Sequence, residues 1–108
     1  MIKITQQAVA AFKTFTEQKG GDAARTYSKS FGTTVVTHEK FVTKLVLHNN
    51  TIARHINGEG LSINLCGWNT PTTRERLNGL PGVNLTTRKG QAYLNGVAIS
   101  DNGCHKVG

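Results

Sequence analysis

The sequence is poor in acid. Six Asp and Glu stand against thirteen Lys and Arg in 108 residues, giving a formal net charge of +7 and a sequence pI near 9.9. A surplus of this size on a small chain makes nucleic acid, or another anionic surface, the first partner class to consider. Its bland counterpart is a charge that merely keeps a small protein soluble. The surplus is spread along the chain, +1 over residues 1–24, +3 over 25–60 and +3 over 61–108, so any basic patch must be assembled by folding. Long apolar runs are missing too. No stretch approaches the ~20 residues of a membrane span, and no signal-peptide pattern follows Met1. A cytoplasmic chain with no membrane partner is therefore expected. Only two cysteines are present, Cys66 and Cys104, and in that compartment they are expected to be free thiols rather than a disulfide.

Recognisable catalytic patterns are absent as well. No C-x-x-C or H-x3–5-H spacing exists, and the adjacent Cys104-His105 pair is poor geometry for two ligands, so neither a metal nor a cofactor is expected. There is no Gly-rich phosphate loop and no nucleophile elbow. His48 and His55 are expected on one sheet face, roughly 10–14 Å apart along the strands, too far to act as acid and base on one bond. The chain is expected not to be an enzyme.

What is present suits a single α+β domain spanning residues 1–108, since 37% hydrophobic and 18% charged residues fit a small globular protein better than a disordered one. An N-terminal helix is expected within residues 1–19, over 5–19, with Thr5 as its cap and Ile4 meeting Val9 in a hydrophobic staple. Ala8, Val9, Ala11, Phe12 and Phe15 form its apolar stripe, and Gly20-Gly21 closes it. Residues 20–32 read as a flexible basic linker. There Arg25 and Lys29 interleave with Tyr27 and Phe31, either to hold phosphates and bases or simply to dock the loop on the body.

An antiparallel sheet is expected over residues 33–100. Its first strand is 33–37. Strands 41–48 and 51–56 flank a turn at Asn49-Asn50, a register that pairs His48 with Thr51, Leu47 with Ile52 and Leu45 with Arg54. Leu45, Leu47, Ile52 and Ile56 then share one face, with Arg54 towards its edge. Lys44, Val46, His48, Ala53 and His55 take the other. A turn at 57–60 leads to 61–66, with Leu61, Ile63 and Leu65 inward.

Residues 66–96 hold the only Trp, both prolines and three of the five arginines. A short helix is expected over 72–79, with a Thr72–Glu75 capping box and a stop at Asn78-Gly79, packing Leu77 and Leu80 on one sheet face. Arg74 and Arg76 lie about 200° apart on a helical wheel, so at least one faces outward. Strands 83–88 and 91–95 flank Lys89-Gly90, and Asn95-Gly96 turns into 97–100. Val83, Leu85, Ala92, Leu94, Val97 and Ile99 point inward, whereas Thr86, Arg88, Gln91 and Tyr93 form an open polar face. Residues 101–108 read as a tail. Trp68, between a strand end and a helix start, is expected to plug the edge of the core, with stacking on a base as the alternative. Thr70 and the Thr72-Thr73 amides beside it offer a phosphate position at the helix N-terminus.

The run GWNTPTTRERLNGLPGV followed by RKGQAYLNG resembles a small domain of phage and prophage proteins. The shared pattern is a His-containing strand near LHNNTIA, then GW-T-TT-R-RLN-LPGV and a closing RKG-YLNG, covering residues 45 to about 97. The resemblance implies a phage origin and an accessory role inside the infected host, and it carries over no catalytic residues. The expected function is a phage accessory protein that binds DNA or RNA, mainly through backbone phosphates. Lys44, Arg54, Arg74, Arg76, Arg88 and Lys89 supply the charge, with Tyr93 and Trp68 stacking. The alternative is a host-takeover or anti-defence protein that binds and inhibits a host protein.

Overall fold

The structure is a computed structural model that describes residues 3–18 and 25–107. In chain order its elements are α1 (Lys3–Gln18), β1 (Tyr27–Phe31), β2 (Thr34–Glu39), β3 (Val42–Leu47), β4 (Asn50–Ile56), β5 (Gly60–Ile63), α2 (Pro71–Asn78), β6 (Leu85–Arg88), β7 (Gln91–Leu94), β8 (Val97–Ile99) and β9 (His105–Lys106). Five consecutive strands form a meander, and β9 returns to its open edge. The resulting six-stranded antiparallel sheet has the order β1-β2-β3-β4-β5-β9, and β6-β7-β8 form a separate three-stranded sheet. The fold is the expected α+β arrangement of N-terminal helix, antiparallel strands and short second helix.

Both helices lie on the same face of the larger sheet. Ala8, Ala11, Phe12 and Phe15 of α1 are buried with Val36, Leu45, Leu47, Ala53 and Ile63 of the sheet, as their helical spacing predicts. Thr5 belongs to this same stripe, three residues before Ala8 and seven before Phe12. It is therefore not the cap. The helix begins earlier, and the Thr5 hydroxyl points inward, where it donates to Glu75 and accepts from Arg76. The proposed Gly20-Gly21 stop, with Lys19, lies outside the described residues.

Residues 27–31, read as part of a flexible linker, are strand β1. Every residue from Tyr27 to Phe31 pairs with β2, in register from Tyr27–His38 to Phe31–Thr34. Tyr27 contacts the rings of Phe15 and His38 at centroid distances of 6.0 and 6.1 Å. Docking two aromatics is what stabilises an otherwise polar edge strand.

A second correction concerns the β3–β4 hairpin. Its turn is His48-Asn49, both at positive φ, one residue earlier than expected. A bulge then lets Ile52 slip in, so that Leu45 faces Ala53 and Lys44 faces Arg54. Because side chains alternate with period two, one extra residue exchanges the faces of everything after it. Ala53 joins the core, and Arg54 moves to the opposite face. His55 now pairs with Thr43, and His48 sits exposed in the turn. The two histidines do not share a strand face.

α2 starts one residue before its expected position. Thr70 is the cap, accepting from the Thr73 amide at 3.2 Å, and Pro71 occupies the first helical position, where its missing N–H costs nothing. Leu77 and Leu80 are buried as expected. Gly79 ends α2 against α1. A Cβ there would stand 2.6 Å from Val9 Cγ2 and 3.0 Å from Thr5 Cγ2, so only glycine permits this approach. Asn78 then clamps the smaller sheet, donating to the Leu85 carbonyl at 2.9 Å and accepting from its amide at 2.6 Å. The register of β6–β8 places Leu85, Ala92 and Leu94 in the shared core, as read from sequence. Val97 is the exception at 65% exposure, because β8 is an edge strand whose first residue projects past the core. The segment read as a tail contributes β9.

Candidate nucleic-acid interface

With both helices on one face, the other face of the larger sheet carries its side chains without a helix over them. Ladder pairs join Ser28 to Thr37, Thr37 to Lys44, Lys44 to Arg54, Arg54 to Ser62 and Ser62 to Lys106. A single row thus crosses all six strands, with three cations and three hydroxyls and no carboxylate. Strands lie ~4.8 Å apart, so Lys44 and Arg54 are neighbours and Lys106 is two strands further on. The β4 bulge makes this row. With the register expected from sequence, Arg54 would oppose Leu45 and break it.

Valines and one isoleucine flank the row. Val35, Val46 and Thr51 pair across one side, and Glu39, Val42 and Ile56 across the other. Glu39 is the carboxylate nearest by register, at one end of its row. Lys44, Arg54 and Lys106 have no ion-pair partner among the described residues, and the Arg54 Nε is buried without a hydrogen bond. Lys106 was not among the candidates read from sequence. The alternation of half-buried His105 and Val107 around exposed Lys106 was its only signal, too short to mark a strand.

The remaining candidates separate into four places. Arg76 is a correction: it is 6% exposed and cannot meet a phosphate. Its Nη1 donates to Thr5 Oγ1 at 2.6 Å and pairs with Glu75 Oε2 at 2.7 Å, and its Nε donates to Thr34 Oγ1 at 3.2 Å. The guanidinium fork joins α1, α2 and β2. Arg74 is the outward member of the pair. Its Nη1 is held by the Asn69 side chain at 2.5 Å and the Asn69 carbonyl at 3.1 Å, and Asn69 also accepts from Thr87 of β6. Arg88 and Lys89 are exposed at the far end of the β6–β7 hairpin, and half-buried Tyr93 shares the outer face of that sheet with Arg88.

Trp68 is the other correction. Cys66 and Gly67, at φ 56° and 79°, form a tight turn closed by the Trp68 amide donating to the Leu65 carbonyl at 2.8 Å. That reversal sends Leu65 into the core and Trp68 out, 61% exposed. The indole stands over a cavity of about 390 Å³ between the β3–β4 turn and the start of α2.

His38 is buried, with Nδ1 2.8 Å from Thr43 Oγ1. Cys66 and Cys104 are both free. Burial, and secondarily the nearby Cys104, push the Cys66 thiol above its ordinary pKa, and its Sγ donates to the Thr51 carbonyl at 3.2 Å. Among the described residues no three His, Cys, Asp or Glu side chains gather as metal ligands, and no helix is long and apolar enough to cross a membrane.

The family model described as Kyanoviridae Gp96 protein matches residues 1–106, which takes in α1 and the first strands as well as the stretch whose phage resemblance the sequence already showed. No curated protein and no solved structure matches the chain.

Proposed function

The chain belongs to the Kyanoviridae Gp96 protein family of phage proteins, and we propose that it is an accessory protein that binds DNA or RNA through backbone phosphates. The observation that carries this reading is the row Lys44, Arg54 and Lys106 across the helix-free face of the larger sheet, without a carboxylate in it. Unpaired cations on a low, half-apolar surface attract a polyanion and gain by releasing its condensed counterions. Hydroxyls of Thr37 and Ser62 in the same row can donate to phosphate oxygens. Nothing in the row reads base edges, so binding is expected to depend weakly on sequence.

Fluorescence anisotropy with labelled single-stranded DNA, duplex DNA and RNA, over ~50–200 mM salt, tests this. Three phosphate contacts predict a log–log salt slope of about −2 to −3. Failure of all three nucleic acids to bind at the lowest salt would overturn the proposal. A partner protein held by apolar surface would instead bind with little salt dependence.

A further inference from the structure

The cavity beside Trp68 differs in character from the cationic row. Its floor is apolar: Leu47, Ile52 and Leu65 are all core residues. Its wall is an exposed indole. His48, Asn50 and Thr72 supply polar groups around the opening, and none of the lining residues is Asp or Glu. Such a site suits a flat ring with polar edges, and it does not repel an anion.

Trp68 is also an expensive residue to leave in water. A tryptophan can bury 150–250 Å², and an exposed large apolar side chain is the informative exception on a small protein. The turn at Cys66 and Gly67 holds the indole out, and the buried side chains below it keep the cavity from collapsing. We propose that this cavity receives the base of one unpaired nucleotide. The base stacks on the Trp68 indole, its polar edge faces His48 and Asn50, and its phosphate stays outside towards Thr72 in the first turn of α2. There the helix dipole favours negative charge. This deepens the nucleic-acid reading and rests on it for the strand to which the nucleotide belongs. A paired base is locked in its stack and cannot enter without being flipped out. The consequence is a preference for single strands.

The chain contains one tryptophan, so its intrinsic fluorescence reports this site directly. The full-length protein is titrated with unlabelled single-stranded oligonucleotide, with blunt duplex and with adenosine 5′-monophosphate. Single strands are expected to quench Trp68 emission and the duplex to leave it unchanged. In anisotropy, Trp68→Ala is expected to weaken single-strand binding about 5- to 150-fold, with duplex affinity and salt slope untouched. Trp68→Phe, which keeps a ring, is expected to retain most of the affinity. Because the side chain is exposed, far-ultraviolet circular dichroism should show both variants folded.

Single strands that bind with a steep salt slope, yet neither quench Trp68 nor respond to Trp68→Ala, would overturn the cavity site and leave the sheet-face reading standing. Quenching by the mononucleotide with no binding of any strand would support the cavity as a site for free nucleotide and overturn the sheet face. Absence of both signals would remove both.

Discussion

Arg74 and Arg76 differ by two positions in α2 and have opposite environments. Arg76 satisfies two buried hydroxyls and one carboxylate, so Arg76→Ala removes the donor that Thr5 and Thr34 accept from and the ion pair with Glu75. A loss of about 2–4 kcal/mol in urea unfolding is expected. Arg76→Lys should recover little of it, because an ammonium cannot reproduce the fork. Gly79→Ala places a methyl 2.6 Å from Val9 Cγ2, so it is expected to lower stability by about 1–3 kcal/mol. Combining it with Val9→Ala should cost less than the two changes summed, a double-mutant signature of their contact. The cysteines provide a pH readout. Cys104 is exposed, whereas burial raises the Cys66 pKa, so at pH 8 alkylation should label Cys104 first. As pH climbs into the raised range of Cys66, its thiolate fraction grows and the two labelling rates should converge.

Elements with their own local signals were legible. The α1 stripe and the Lys89-Gly90 and Asn95-Gly96 turns carry spacing or turn chemistry within a few residues and appear where that chemistry places them, whereas the short α2 forms with Thr70, not Thr72, as its cap. Strand β1 did not announce itself. Tyr-Ser-Lys-Ser-Phe has only two apolar residues, and it becomes a strand through pairing with β2 and ring contacts with α1. The β3–β4 turn shows a subtler limit. Asn49 suits positive φ in either register, so local chemistry leaves two turns nearly equal, and packing of Ile52 and Ala53 together decides. This can be tested. Asn49→Gly is expected to raise the melting temperature, because that position needs positive φ. Asn50→Gly falls inside β4 and should cost about 0.5–1 kcal/mol. The register expected from sequence makes Asn50→Gly tolerable as well.

Across the whole molecule, the charge total was readable from composition and its arrangement was not. Lys44, Arg54 and Lys106 become one row only after a bulge shifts β4 and β9 closes the sheet edge, and neither event has a local signature. The same holds for Arg76, whose burial depends on partners in α1 and β2. Lys106→Ala should make the nucleic-acid salt slope shallower by about 0.7–0.9, the share of one phosphate contact. Glu39→Gln, at the border of the row, is expected to tighten binding at low salt and to matter little at ~200 mM.

The hydrogen bond between Thr5 and Arg76 spans 71 residues. Closing a flexible loop of that length costs about 4 kcal/mol of chain entropy, and the helix cannot recover this from neighbours in sequence. On a ribosome adding ~5–20 residues per second, α1 waits roughly 4–14 s before α2 exists to receive it. For that interval Thr5 and Val9 have no α2 to pack against, and α1 alone is a marginal helix. Strands β1–β3 can receive the apolar stripe of α1 in that interval, while its Thr5 end stays open to chaperones and proteases until α2 arrives.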